Sequence, residues 1–316
     1  MRWAPTDDPP ATGHEQDPLR TTDYGLRSSP MDWLTAPFEL AFQQRALLAG
    51  SLAALTTSVV GTWVVIRGMT FLGDALVHGV IPGIALAILI GFNPLIGAAI
   101  AALVMIWGIN LVHRQTTFSE DTGIGLLFVG MLGLGVILIS KSASYSGSLT
   151  AILFGDVLGV TETDLVVLVV ITVVAIGTSV LFYRHFLVLS FNEQKAQLYG
   201  LHPRVTHVLL LGLIVLSIVG SFQTVGTLLV FGLLVGPPAT AALLVRRVPA
   251  MMVVAALIGV FSVVVGLIIS YHANTSGSAT MAVIPIALFF VVLTVRNVTA
   301  GIRDRKVDET VEVGGH

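Results

Sequence analysis

The chain contains no cysteine in 316 residues. That excludes disulfides, zinc–thiolate sites and thiol catalysis, and it removes a soft thiolate route for Cu(I). Charge is also scarce: 11% of residues are Asp, Glu, Lys or Arg, where a soluble domain carries about 25%. A net charge of −2 gives no argument for a nucleic-acid partner, and none is expected. The period-2 alternation in short segments that a membrane β-barrel needs is absent. Enzyme signatures are missing too. "HEQDP" at His14 is not a zinc-protease motif, and no G-x-S-x-G elbow occurs. "GVILISKS", residues 135–142, has Ser140 where a phosphate loop needs its second glycine. The chain therefore has no recognisable site for hydrolysing ATP, and it is read as a non-enzyme.

What is present is apolar sequence. Hydrophobic residues make up 55% of the chain, and the mean hydropathy is +0.92. The composition is that of an integral membrane protein whose surplus apolar surface meets the lipid bilayer, since roughly 20 apolar residues cross one. The predicted fold class is an all-α, polytopic transmembrane helical bundle of about 8–9 spans. Candidate spans lie near 42–66, 71–90, 95–112, 123–140, 164–183, 206–221, 225–245, 250–270 and 281–296. Only "SFQT" separates the sixth from the seventh, so the two also read as one broken unit, which would make eight.

Three regions are expected: a disordered tail over 1–38, a transmembrane domain over 39–297 and a cytoplasmic C-terminal tail over 298–316. The first is rich in Pro, Asp, Thr and Ser and lacks a signal peptide's basic start and apolar stretch. Met31 opens "MDWLTAPFEL", itself a suitable start. Orientation follows from Lys and Arg. With the N-terminus outside and the C-terminus inside, Arg67, Arg114, Arg184, Lys195, Arg204, Arg246, Arg247, Arg296, Arg303, Arg305 and Lys306 all face the cytoplasm. The expected location is the plasma (cytoplasmic) membrane, crossed many times.

Two connections stand out. "SLTAILFGDVLGVTETD", residues 148–164, suits a short helix or re-entrant piece on the outer side. In "RHFLVLSFNEQKAQLYGLHPRV" the stretch Asn192 to Tyr199 reads as a short cytoplasmic helix stopped by Gly200 and Pro203. GxxxG pairs at Gly79 and Gly83, Gly155 and Gly159, and Gly232 and Gly236 suit close helix packing. Pro82 in the second span and Pro237-Pro238 in the seventh are expected to interrupt helical hydrogen bonding. Two interrupted spans, one in each half, point to a central pathway.

The chemistry concentrates in "LGDALVHGVIPG", residues 72–83. Asp74 and His78 stand one turn apart, on one helix face. A charged residue in mid-span costs about 2.5–3.5 kcal/mol on insertion scales, so such groups face a cavity and carry function. Carboxylate plus imidazole suits a borderline divalent cation: Zn2+, Mn2+ or Fe2+. The competing reading makes Asp74 a helix cap and His78 a packed core residue. Asp156, Glu162 and Asp164 would attract cations at an outer mouth or, with Thr161 and Thr163, cap the fifth span. His272, in the last outer loop, is a further possible outer-mouth residue; His202 and His207 are expected to contribute nothing to transport.

Four ordered segments resemble the membrane permeases of the manganese/zinc/iron ABC importer family. They are "FLGDALVHGVIPGIALAILIG", "LTAILFGDVLGVTETDL", "NEQKAQLYGL" and "VGTLLVFGLLVGPPATAALLVRR", and the likeness runs from Phe38 to about Val295. The resemblance implies a homodimer, a cytosolic ABC ATPase subunit that binds the ATP, and an extracellular metal-binding protein that delivers the ion. It implies no permanently bound cofactor, only the transported ion. Asp74 and His78 map onto the family's metal-contacting Asp and His. Asn192, Glu193, Ala196 and Gly200 map onto its ATPase-coupling segment. One departure is "NTSG" in the last outer loop, where the family has Asp-x-Pro-Ser-Gly; Asn274 and Thr275 weaken a metal role there. An ion-coupled secondary metal transporter is the alternative, but it would need a fuller relay of intramembrane ionisable groups.

Overall fold

The computed structural model describes residues 36–117, 119–141, 154–155, 159–191 and 203–313. Nearly all of them lie in one compact unit, Pro37–His316. Among them there is no strand, and nine segments are long and apolar enough to cross a membrane.

After a 3-10 turn at Ala36–Glu39, the helices are α1 (Ala41–Ile66), α2 (Thr70–Gly79), α3 (Ile81–Leu89), α4 (Pro94–Gln115) and α5 (Glu120–Ser140). Then follow α6 (Glu162–Leu181), α7 (Tyr183–Phe191), α8 (Pro203–Leu244), α9 (Val248–Ala273) and α10 (Gly277–Val313). α2 and α3 form one span, and α8 forms two. α10 runs past residue 297 without a break.

The end of the bundle where α1 begins is here the upper end. Three polar rungs tie α1 to α6. Arg45 pairs with Glu162 at 3.3 Å. Thr56 Oγ1 donates to Thr172 Oγ1 at 2.8 Å, and Trp63 Nε1 donates to Ser179 Oγ at 2.7 Å. Their order makes the two helices parallel. α9 runs the other way: Gly50 backs onto Val263, and Gly259 onto Ala54 and Ser58. The second arm of α8 runs with α10, Gly232 against Ala282, Gly236 against Pro285, and Arg296 Nη1 donating to the Leu243 carbonyl at 3.2 Å.

α8 is the break in regularity. Its first arm ends beside the start of α6, where Gly220 and Thr224 share a cavity with Asp164. Its second arm ends beside the foot of α1, where Ala241 packs with Val65 and Ile66. The chain therefore reverses within α8, at Gly226 (φ 79°, ψ 161°). Only glycine adopts that conformation without strain. Gly155, also at positive φ, lies so close to the Gly226 backbone that a β-carbon on it would collide. The sixth and seventh spans are thus two helical arms that meet at a kink, each crossing once, and the count among the described residues is nine.

Three expectations need correction. The helix does not break at Pro237-Pro238, which lie inside α8. Proline denies an N–H to the carbonyl four residues back. For Pro238 that carbonyl belongs to Leu234, and it lies against Gly61 of α1, where no side chain would fit. Close packing thus carries the helix through the prolines. Second, Gly155 and Gly159 are not a helical GxxxG pair, because φ 65° at Gly155 excludes a helix there. Third, the segment after the fifth span begins with a helix, α7, whose Phe186 and Leu189 are buried. Phe186 and Tyr183 pack on Trp63 with ring centroids 5.5 and 5.6 Å apart.

Replacing Gly226 with Ala forces a side chain into the left-handed region at the reversal. The expected loss is about 1–3 kcal/mol, read as a lower thermal unfolding midpoint of the detergent-solubilised protein; an unchanged midpoint would contradict the strain argument.

Candidate functional site

The second span does break where expected. α2 ends at Gly79 and α3 starts at Ile81, with Pro82 at the first turn of α3. Pro82 has no N–H for the His78 carbonyl four residues back, so the hydrogen-bond ladder stops at the histidine. Gly79 backs onto Met105 of α4, and Gly83 meets Gly97 backbone to backbone. These contacts press the broken span against α4 along one side.

Asp74 and His78 occupy another side. His78 Nε2 lies 3.5 Å from Asp74 Oδ1, and the side chains are 23% and 28% exposed. Asp74 does not cap the helix: α2 starts at Thr70, its N-cap is Met69, and no acidic residue falls in its first turn. The cap reading is excluded, and so is a place for Asp74 within the first turn. His78 Nδ1 is buried with no hydrogen-bond partner. The imidazole meets Phe128 of α5 edge to face, ring centroids 5.8 Å apart, and Phe71 stacks beyond at 6.4 Å. Phe128 could not be picked out from the sequence, because it sits in another span and its only signal is aromatic bulk in a stretch of smaller residues.

Asp74 and His78 continue at four-residue steps into Pro82, Leu86 and Ile90. These three line an apolar groove of about 390 Å³ whose wall includes Gly97, Ile100 and Leu134. One carboxylate oxygen and one imidazole nitrogen are two donors for a cation. No group of three or more potential His or carboxylate ligands occurs among the described residues. Among the described residues this face therefore offers a cation two donor side chains.

The other sequence candidates do not join the pair. His272 lies in the last turn of α9, at the upper end, rather than in a loop. Its Nδ1 is 2.9 Å from the Ile268 carbonyl, and it lines a cavity of mixed polarity, about 650 Å³, with Phe42, Gln43, Leu267, Ser270, Tyr271, Asn274 and Thr275. Asp164 is a capping residue: its Oδ2 accepts from Thr161 N at 3.0 Å, while Thr161 Oγ1 accepts from Asp164 N at 3.3 Å. Asp156, Asn192, Glu193, Ala196 and Gly200 lie outside the described residues.

A broken, acid- and imidazole-bearing span inside an all-helical membrane bundle defines a polytopic permease. Comparison with known proteins places it more narrowly: residues 39–296 match the ABC 3 transport family, and the chain belongs to that family. It is 37% identical over 261 residues to the manganese transport system membrane protein MntC of Listeria monocytogenes, covering 83% of this chain and 93% of that one. It is 34% identical over 262 residues to a Haemophilus influenzae protein named "Probable iron transport system membrane protein", covering 83% and 96%. Among solved structures it resembles PsaBC from Streptococcus pneumoniae in complex with Fab, at TM-score 0.76 and 30% identity, over 83% of this chain and 94% of that one.

If Asp164 only caps α6, Asp164→Ala lowers stability by about 1 kcal/mol and leaves metal uptake by the reconstituted transporter intact. Loss of uptake at an unchanged unfolding midpoint would return Asp164 to the pathway.

Proposed function

We propose that this chain is the membrane-spanning permease subunit of an ATP-driven importer for a divalent transition metal ion. The observation that carries the reading is the Asp74–His78 pair, partly exposed on one face of a span broken at Val80. Family membership supports it, as do relatives described as manganese and iron transport proteins. The metal is Zn2+, Mn2+ or Fe2+, which oxygen–nitrogen donor sets share; selection among them falls largely to delivery and availability.

The pair's two donors are half a shell, so two copies of the chain meeting along this face would offer four. A homodimer with both pairs near the two-fold axis is the arrangement that uses them. The Lys and Arg distribution favours the upper end outside and the C-terminus in the cytoplasm. Asp74 and His78, near the start of the second span, then lie in the inner half of the path. An extracellular metal-binding protein releases the ion at the upper mouth. A cytosolic ATPase engages Asn192 to Gly200 through Asn192, Glu193, Ala196 and Gly200, and its closure switches access. The chain has no ATP site, so alone it neither hydrolyses ATP nor transports.

Normally expressed Asp74→Ala and His78→Ala variants are expected to lose nearly all ATP-dependent uptake of radioactive Mn2+ or Zn2+ in proteoliposomes holding the full transporter. Full-rate uptake by both would remove this site assignment.

A further inference from the structure

His78 lacks something that metal-bound histidines almost always have. The second ring nitrogen of such a residue normally donates to a carbonyl, carboxylate or water, which fixes the ring and raises its basicity. His272 of this chain has that arrangement, with Nδ1 2.9 Å from the Ile268 carbonyl. His78 does not: its Nδ1 is buried and unpartnered. Nε2 lies 3.5 Å from Asp74 Oδ1, and among the described residues no protein group restrains the ring from the Nδ1 side.

α5 supplies a different restraint. It lies parallel to the second span, Gly125 receiving Phe71 and Gly135 receiving Ile81. Between these two close contacts, at the level of the histidine, stands the Phe128 ring. It meets the imidazole at 62° with centroids 5.8 Å apart, and Phe71 backs it at 6.4 Å. The glycines bring α5 close enough for the phenyl ring to occupy the space into which a released imidazole would turn.

We infer that Phe128 is a positioning residue: its ring holds the His78 imidazole in the orientation that presents Nε2 beside Asp74, in place of a hydrogen bond at Nδ1. The inference rests on Asp74 and His78 being the metal-contacting pair. A ring held by an apolar neighbour is oriented without being made more basic. It is a ligand of moderate strength with a fixed direction, which suits an ion that must leave again.

The test uses the permease with its ATPase in lipid nanodiscs. Mn2+ alone is titrated and its free concentration read by electron paramagnetic resonance; Co2+ absorption reports the ligand geometry. Phe128→Leu keeps bulk without a ring, and Phe128→Ala removes both. Both are expected to weaken Mn2+ binding about tenfold, within the range for loss of a ligand-orienting partner, and to shift the Co2+ bands. Phe128→Tyr is expected to restore both signals. Wild-type binding and Co2+ bands in Phe128→Leu would overturn the inference, as would a Phe128→Tyr protein no better than Phe128→Leu. If Asp74→Ala and His78→Ala themselves bound Mn2+ normally, the site reading would fall and this inference with it. Loss of binding in those two with a silent Phe128→Leu would remove only the role of Phe128.

Discussion

Water does not reach the hydrocarbon core of a bilayer, so every backbone N–H and C=O there must find its partner inside the protein. The rest of this structure depends on that constraint. It makes the described spans helical, and it dictates where a helix can be interrupted. The two breaks in described spans, at Val80 and Gly226, are both buried. Around Val80 the chain is pressed onto α4 through Gly79 and Gly83. Around Gly226 it is covered by Gly155. Neither break opens toward lipid. The Leu234 carbonyl, which Pro238 cannot serve, lies against the bare backbone of Gly61 rather than toward lipid.

α1 also buries polar side chains, most of them partnered, with Ser58 Oγ the exception. Thr56, Thr57, Ser58 and Thr62 are buried in a helix that a hydropathy profile would call merely apolar. Thr57 and Thr62 return their hydroxyls to carbonyls one turn back, at 2.7 and 2.8 Å. Thr56 and Trp63 instead reach across to α6. Between transmembrane helices such bonds contribute about 0.6 kcal/mol on average, a modest sum. Their larger effect is on register: with Arg45–Glu162 they admit one parallel alignment of α1 with α6. α7 follows α6 directly and packs under Trp63, so the segment that leads toward Asn192 is anchored to the foot of α1.

Much of this was legible in the sequence. Span positions follow from apolar length, and the Asp74–His78 pair from two polar residues one turn apart in greasy surroundings. The break near Pro82 and the cap at Thr161 follow from local backbone chemistry. What was not legible depends on contacts between distant segments. Pro237-Pro238 reads as a break until α1 is seen to offer Gly61 to the freed carbonyl. "SFQT" marks where the sixth span meets the seventh, but Gly226 itself reads as one more packing glycine among the chain's 32. α7 reads as loop because its buried residues face partners on α1. Phe128 has meaning only once α5 is known to lie beside α2. Local rules located the acid–imidazole pair, whereas tertiary packing decides how it is held.

That division bears on how a transport site differs from a storage site. A structural metal centre closes its shell and tethers each histidine through its second nitrogen. In the proposed site one chain supplies two donors, no described protein group bonds His78 Nδ1, and the stripe they begin continues into an apolar groove. On that proposal the pair is an open, two-donor contact rather than a closed shell. The broken helix fits the same logic. Pro82 ends the α2 ladder at His78, so the lower, ligand-bearing piece of the span and the upper, groove-lining piece are separate helices joined at Val80. A small change of angle at that joint would alter the groove while leaving the Asp74–His78 spacing, which is internal to α2, as it is.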